Sequence, residues 1–171
     1  MNEITYCPRC GNKLVEKEKF GDVRQVCPDG SCGFIHFLDP KVVAVVLVEY
    51  EGRLLLGRRN IDPGKGLWSF SGGYVNRGEK VEAAALREVK EETNLDIELG
   101  ELLGVYSEKD NPVVLVVYRG QAGSIETLHA QDDEVMELAF FLPSEIPTLA
   151  FPFDENIVAA WIKTREKDGL V

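Results

Sequence analysis

Apolar positions along the chain alternate or run together in short blocks, and only two stretches carry a helical period. Val42 to Tyr50 and Arg53 to Gly57 are β-rich runs joined by Glu51-Gly52, which predicts a hairpin. Leu67 to Phe70 predicts a short strand after a loop holding Pro63, Gly64 and Gly66. Asp96 to Tyr106 and Val113 to Arg119 predict two more strands with Asp110-Asn111-Pro112 as their turn, and Met136 to Leu142 another. The first helical stretch holds Ala85, Leu86 and Val89, taken as its buried face, with Ala83 and Ala84 keeping it regular. The second, Asp154 to Lys167, should turn Ile157, Val158, Trp161 and Ile162 inward and stop at Gly169. The polar stretch Gly120 to Asp133 reads as a mobile loop. Mixed strands with two main helices imply an α/β fold.

The first forty residues differ in kind. All four cysteines lie there, as Cys7-Pro8-Arg9-Cys10-Gly11 and Cys27-Pro28-Asp29-Gly30-Ser31-Cys32-Gly33. Two cysteine pairs in glycine-containing turns suit a tetrahedral Zn²⁺ site of structural type. About forty residues also lack the area to fold unaided. Strands near Lys13 to Lys19 and Val23 to Val26 complete a zinc ribbon, and Asp39-Pro40 punctuates its end. The expected organisation is therefore a small β subdomain over 1–40 and a second domain over 41–171.

Charge narrows the partners. A net charge of -10 repels polyanions and argues against nucleic acid. The longest apolar run, Val42 to Val48, is too short to span a bilayer, and the N-terminus MNEITYCPRC shows no leader pattern. The expectation is a soluble cytoplasmic protein acting on a small molecule.

One segment carries most of the chemistry. In Arg87-Glu88-Val89-Lys90-Glu91-Glu92, three carboxylates at offsets 0, 3 and 4 share a helical arc of roughly 100°. Like charges so placed repel, and a divalent cation reverses the sign because hard cations take oxygen ligands. The wider spacing, Gly73 then Glu79 then Arg87-Glu88-Val89 and Glu91-Glu92 followed by Asn94-Leu95, resembles the signature box of the Nudix hydrolases. The final glycine of that box is Asn94 here, a residue that also tolerates a left-handed helix cap.

The resemblance implies an α/β/α sandwich with a mixed sheet, and hydrolysis of a nucleoside diphosphate linked to another group. It implies Glu88, Glu91 and Glu92 as ligands of Mg²⁺ or Mn²⁺, a backbone carbonyl from Gly72 or Gly73 in the metal shell, and orienting roles for Arg87 and Glu79. Glu79 should lie in a loop folded back beside the arginine. Glu91, or Glu134 or Glu137 beyond the box, would be the base. Arg59 and Arg58 suit phosphate oxygens, and Trp68, Phe70 and Tyr74 could stack on a base. A ribbon ahead of the box is similar to NADH pyrophosphatases and to ADP-ribose and FAD pyrophosphatases. Leu149-Ala150-Phe151-Pro152-Phe153 departs from the NADH-group motif, and the stretch from Arg58 to Trp68, with Glu145-Ile146-Pro147 and Leu149-Ala150-Phe151, looks closer to the ADP-ribose/FAD group. NADH pyrophosphatase and RNA decapping stand as alternatives, with a non-catalytic zinc-ribbon binding module as the rival of another class. Dimers are frequent in the family, so a homodimer is an expectation.

Overall fold

The computed structural model describes residues 4–130, 133–167 and 169. The chain divides into two compact units, Met1–Asp39 and Pro40–Val171. In the first, β1 (Val15–Lys19) and β2 (Asp22–Val26) pair antiparallel. Their two-residue turn, Phe20-Gly21, has both φ values positive (55 and 77), the turn whose twist matches a tight hairpin. Buried Cys7, Leu14 and Cys27 form a minimal core beside Cys32 and Phe34.

The second unit is a mixed sheet between two helices. Its strands are β3 (Lys41–Tyr50), β4 (Arg53–Arg59), β5 (Trp68–Ser69), β6 (Ser71–Tyr74), β7 (Ile97–Tyr106), β8 (Val113–Ala122) and β9 (Val135–Phe141). The central order is β5-β4-β3-β8-β7, with β6 on β3 and β9 on β4. β3 and β8 run parallel, and the other pairs are antiparallel. Glu51-Gly52 makes the expected hairpin, again with positive φ at both residues. That hairpin pairs only Glu49 with Leu54 and Tyr50 with Arg53, then opens so that β6 takes the rest of the β3 edge.

Alternation along β3 builds two cores. Ala44, Val46 and Val48 face helix α1 (Val81–Thr93), meeting Ala84, Ala85 and Val89. Val45 and Leu47 face helix α2 (Asp154–Lys167), meeting Ile157 and Trp161. A strand covered on both faces must be apolar at successive residues, which explains the unbroken run from Val42 to Val48. Among the described residues no helix is long and apolar enough to cross a membrane.

Two expectations need correction. Leu86 is 39% exposed, because it lies about 100° around the helix from Ala85, on the face of Glu82 and Lys90. The polar stretch from Gly120 begins as strand before it becomes loop. Gly120 to Ala122 extend β8, and the His129 N–H donates to the Thr93 carbonyl at 3.0 Å. Gln131 and Asp132 of that stretch lie outside the described residues, as does Met1–Glu3 of the N-terminal reading.

Two buried acids were not anticipated. Glu49, 4% exposed, receives Arg119 at 2.9 Å and Arg165 at 2.7 Å, tying the last turn of α2 to the end of β3. Asp154 begins α2. Its carboxylate accepts the Phe151 N–H at 3.0 Å while its own N–H donates to the Phe151 carbonyl, a reciprocal cap on the helix start.

Candidate active site and metal centres

Helical geometry grades the three acids of α1. Taking Ala85 and Val89 as the buried stripe, Glu92 projects closest to the sheet, Glu88 somewhat outside it, and Glu91 about 100° beyond Glu92. The side chain of Glu88 is accordingly 14% exposed and that of Glu91 59%. Burial, with the charges of Glu88 and Glu134 adding, pushes the Glu92 carboxyl up to about 8 against hydrogen bonds from Ser71 and Gly72. Burial likewise raises Glu88, with Glu91 and Glu134 adding and Arg87 opposing.

The glycines before the helix are fixed by close approach. A Cβ at Gly73 would sit on the Glu88 carboxylate, and one at Gly72 would strike the Ala44 carbonyl oxygen across the β3–β6 ladder. The Gly72 N–H donates to Glu92 at 3.2 Å. The β6 backbone is thereby set against two half-buried acids, Glu88 and Glu92, and no residue with a side chain could stand there unmoved.

Arg87 organises the outer half. Its guanidinium donates to both Glu79 oxygens at 2.8 and 3.0 Å, to Glu88 at 2.6 Å, to Glu91 at 3.0 Å and to the Tyr74 carbonyl at 3.2 Å. Glu79 sits ahead of α1 in a turn that also hydrogen-bonds Asn76, so it can fold back where an eight-residue helical separation could not. The hydrogen bonds from Arg87 hold the Glu79 carboxyl down at about 2.

Of the two downstream glutamates, Glu134 is the one whose charge reaches Glu88 and Glu92. Its main-chain carbonyl accepts the Asn60 N–H at 2.8 Å. Glu137 lies on β9 opposite Arg58 and pairs with it at 3.5 Å. Arg58 also donates to the Gly66 carbonyl, so it lies along the β4–β9 surface. Arg59, the next residue on the strand, points the other way. It donates to the Pro63 carbonyl at 2.8 Å and lies over the Phe151 ring at 4.9 Å.

Arg59 and Phe151 border a cleft of about 400 Å³ on the α2 face of the sheet. Val43, Val45, Val113 and Leu115 form its floor, Phe70 comes from just before β6 and Tyr74 from its last residue, and Gly72 and Gly73 bring it to the acids of α1. Trp68 lies elsewhere. Its ring packs edge-on against Phe141, 4.9 Å between centroids, within the core under α2.

The residues can be tested against the metals they suggest. In the first unit, all four cysteines are free thiols whose sulfurs lie within 4.8 Å of one another. Cys7 and Cys32 approach to 3.6 Å, Cys10 and Cys27 to 3.4 Å. A tetrahedron with Zn–S bonds of about 2.3 Å has S···S edges of about 3.8 Å, so the set fits a zinc ion. The longer second spacing, Cys27 to Cys32, is no obstacle, since Asp29 turns the loop by accepting from Ser31. Burial pushes the Cys32 thiol up to about 12; at Cys7 burial also raises, but hydrogen bonds from the Arg9 and Cys10 backbone and from the Cys10 and Cys32 side chains together bring it to about 7.

The carboxylates of α1 do not converge in the same way among the described residues. Glu88 and Glu91 lean on Arg87, and Glu92 on the Gly72 amide. The donor chemistry nevertheless fits a hard dication. Two partly buried acids, Glu88 and Glu92, hold their protons more tightly than free carboxylates because of burial and the charges of neighbouring glutamates, and a cation beside them would relieve both.

Residues 38–161 match the family model described as NUDIX domain. The chain belongs to the Nudix family. It is 38% identical over 125 residues to an ADP-ribose pyrophosphatase of Methanocaldococcus jannaschii, covering 71% of this chain and 73% of that protein. It is 36% identical over 98 residues to the NAD-capped RNA hydrolase NudC of Stutzerimonas stutzeri, of which it spans 33% while 57% of this chain is matched. A solved Nudix hydrolase from Nitrosomonas europaea superposes with a TM-score of 0.86 at 28% identity, covering 96% of this chain and 93% of that one. This Nudix protein is thus a pyrophosphohydrolase with the α/β fold of its family, and Nudix enzymes use divalent metals.

Proposed function

We propose that this Nudix enzyme hydrolyses the pyrophosphate of an adenosine diphosphate joined to a second group, with ADP-ribose or FAD as preferred substrate, releasing AMP. One observation carries the reading: an apolar cleft, edged by the Arg59–Phe151 pair, runs into the glycine strand that abuts Glu88 and Glu92. A nucleoside would lie on the apolar floor with its base near Tyr74 and Phe151, and Arg59 would meet phosphate or ribose oxygens. The likeness to the Methanocaldococcus ADP-ribose pyrophosphatase supports that substrate class over a capped RNA.

Glu88, Glu91 and Glu92 would hold Mg²⁺ or Mn²⁺, with the Gly72 carbonyl as a further oxygen. The bound metal supplies neutralisation of the diphosphate and acidifies water. Arg87, fixed by Glu79 and the Tyr74 carbonyl, holds Glu88 and Glu91 in place for that task. Glu134 takes the proton of the attacking water, in preference to Glu91, which Arg87 occupies, and to Glu137, which Arg58 occupies. Water oxygen bonds to phosphorus, the bridging P–O bond breaks, and the leaving phosphate departs with the electron pair. The first forty residues form a zinc ribbon with a structural ion, ahead of a hydrolase domain over 41–171.

The test is a panel of ADP-ribose, FAD, NADH and an NAD-capped oligonucleotide, scored for AMP or 5′-end release with Mg²⁺ and with Mn²⁺. The proposal expects the first two to have the highest kcat/KM. A clear preference for the capped strand would overturn it.

A further inference from the structure

Asp154 does more than a helix start requires. It lines the cleft together with Arg59, Phe70, Tyr74 and Phe151, beside a floor of aliphatic side chains. Among the described residues it is the only acid on that wall. A carboxylate that closes a helix start ordinarily stands in water, but this one is buried, and burial raises it well above the usual carboxylate range.

The cap uses one of its oxygens. Asp154 Oδ2 accepts the Phe151 N–H at 3.0 Å, while the Ala150 N–H, whose pull the carboxyl also feels, donates to the Trp68 carbonyl at 2.8 Å. Arg59 turns to the Pro63 carbonyl and the Phe151 ring instead. Neither Asp154 oxygen is sealed away without a partner, so Oδ1 reaches the cavity that the residue lines. An acceptor among aromatic and branched aliphatic side chains needs a donor once a ligand displaces water from the cleft. Phosphate oxygens cannot supply one. The flanking rings suit a flat base rather than a sugar. Adenine carries an exocyclic amino group, a donor. Hypoxanthine has a carbonyl at the same carbon, which would face Oδ1 acceptor to acceptor.

We infer that Asp154 is a specificity-determining residue that reads the base of the nucleotide, its Oδ1 accepting a hydrogen bond from the exocyclic amino group of adenine. The inference rests on the reading of this cleft as the nucleoside site, and it gives a physical reason for an adenosine diphosphate there.

The experiment uses the full chain and compares hydrolysis of ADP-ribose with that of its hypoxanthine counterpart, alongside calorimetric binding of AMP and IMP. The parent should prefer the amino base about 10- to 100-fold in kcat/KM and in affinity, mostly through KM. Asp154→Asn keeps an oxygen for the Phe151 N–H and turns its amide N–H groups to the cleft, so the preference should vanish or reverse. Asp154→Ser withdraws the acceptor, and should bring the two bases within about threefold of each other. A merely structural role would weaken both substrates alike and leave their ratio unchanged. Equal use of the two bases by the parent overturns the inference, as does a parent-like ratio in both variants. Should ADP-ribose resist hydrolysis while AMP outbinds IMP and Asp154→Asn reverses that order, base reading stands and the substrate assignment falls. Should ADP-ribose be hydrolysed with a flat base ratio, only the role of Asp154 falls. Neither hydrolysis nor nucleotide binding would overturn both.

Discussion

Asp154 offers the sharpest quantitative test, because its burial and its hydrogen bonds pull in opposite directions. It is 3% exposed, and burial raises its carboxyl from 3.8 to about 6, against the amides of Phe151 and Ala150 and the charge of Arg59. A raised acid binds its proton more tightly folded than unfolded, so folding loses stability as pH climbs through the folded value. The displacement corresponds to a penalty of about 3 kcal/mol once the group is ionised in both states. Roughly half has accrued by pH 5, leaving about 1.4 kcal/mol to appear between pH 5 and pH 8. Asp154→Asn keeps an oxygen for the Phe151 N–H and cannot ionise. It also forfeits a favourable charge at the helix start, worth about 0.3–1 kcal/mol. The variant should therefore be more stable than the parent by about 2 kcal/mol at pH 8, with the advantage shrinking by about 1.4 kcal/mol at pH 5. Urea unfolding followed through the Trp161 environment at half-unit pH steps measures this difference directly. A difference that stays flat across that range, or a variant weaker than the parent at pH 8, refutes the reasoning.

Glu92→Gln should lower Mg²⁺-dependent hydrolysis by more than about 100-fold, checked by AMP release, while calorimetry shows weakened Mg²⁺ uptake. Thermal melts of the same variant at neutral pH should show a metal-free protein at least as stable as the parent, since a carboxyl that burial, and then the charge of Glu88, hold protonated in the fold is gone. Gly73→Ala should reduce kcat by more than about tenfold through displacement of the Glu88 carboxylate, with circular dichroism unchanged; parent-like turnover would contradict the close approach. Thiol modification of purified protein should release one zinc per chain, read with a colorimetric chelator. Stripping that metal should collapse amide dispersion within 4–39 while signals of the second unit persist.

Linear order alone carried much of this molecule. Like charges at 0, 3 and 4 on a helix, two cysteine pairs in glycine turns and an apolar run from Val42 to Val48 are local patterns whose physics needs no partner. They pointed to the acid-bearing helix, the thiol cluster, the hairpin at Glu51-Gly52 and the α/β class. Three-dimensional packing decided the rest. Which acid is buried depended on how α1 rolls against β3, and so Glu92 is raised while Glu91 stays in water and Leu86 faces out. Glu134 and Glu137, three residues apart, were indistinguishable by composition. Strand register placed one opposite Arg58 and left the other with its charge near Glu88. Trp68 went to the core, Arg59 to the cleft, and Glu49 and Asp154 became buried acids, because those fates hang on residues far along the chain: Phe141 for Trp68, Phe151 for Arg59, Arg119 and Arg165 for Glu49, and Arg59 for Asp154. Short-range charge spacing is written along the backbone, but burial and long-range pairing exist only once the sheet has closed between its two helices.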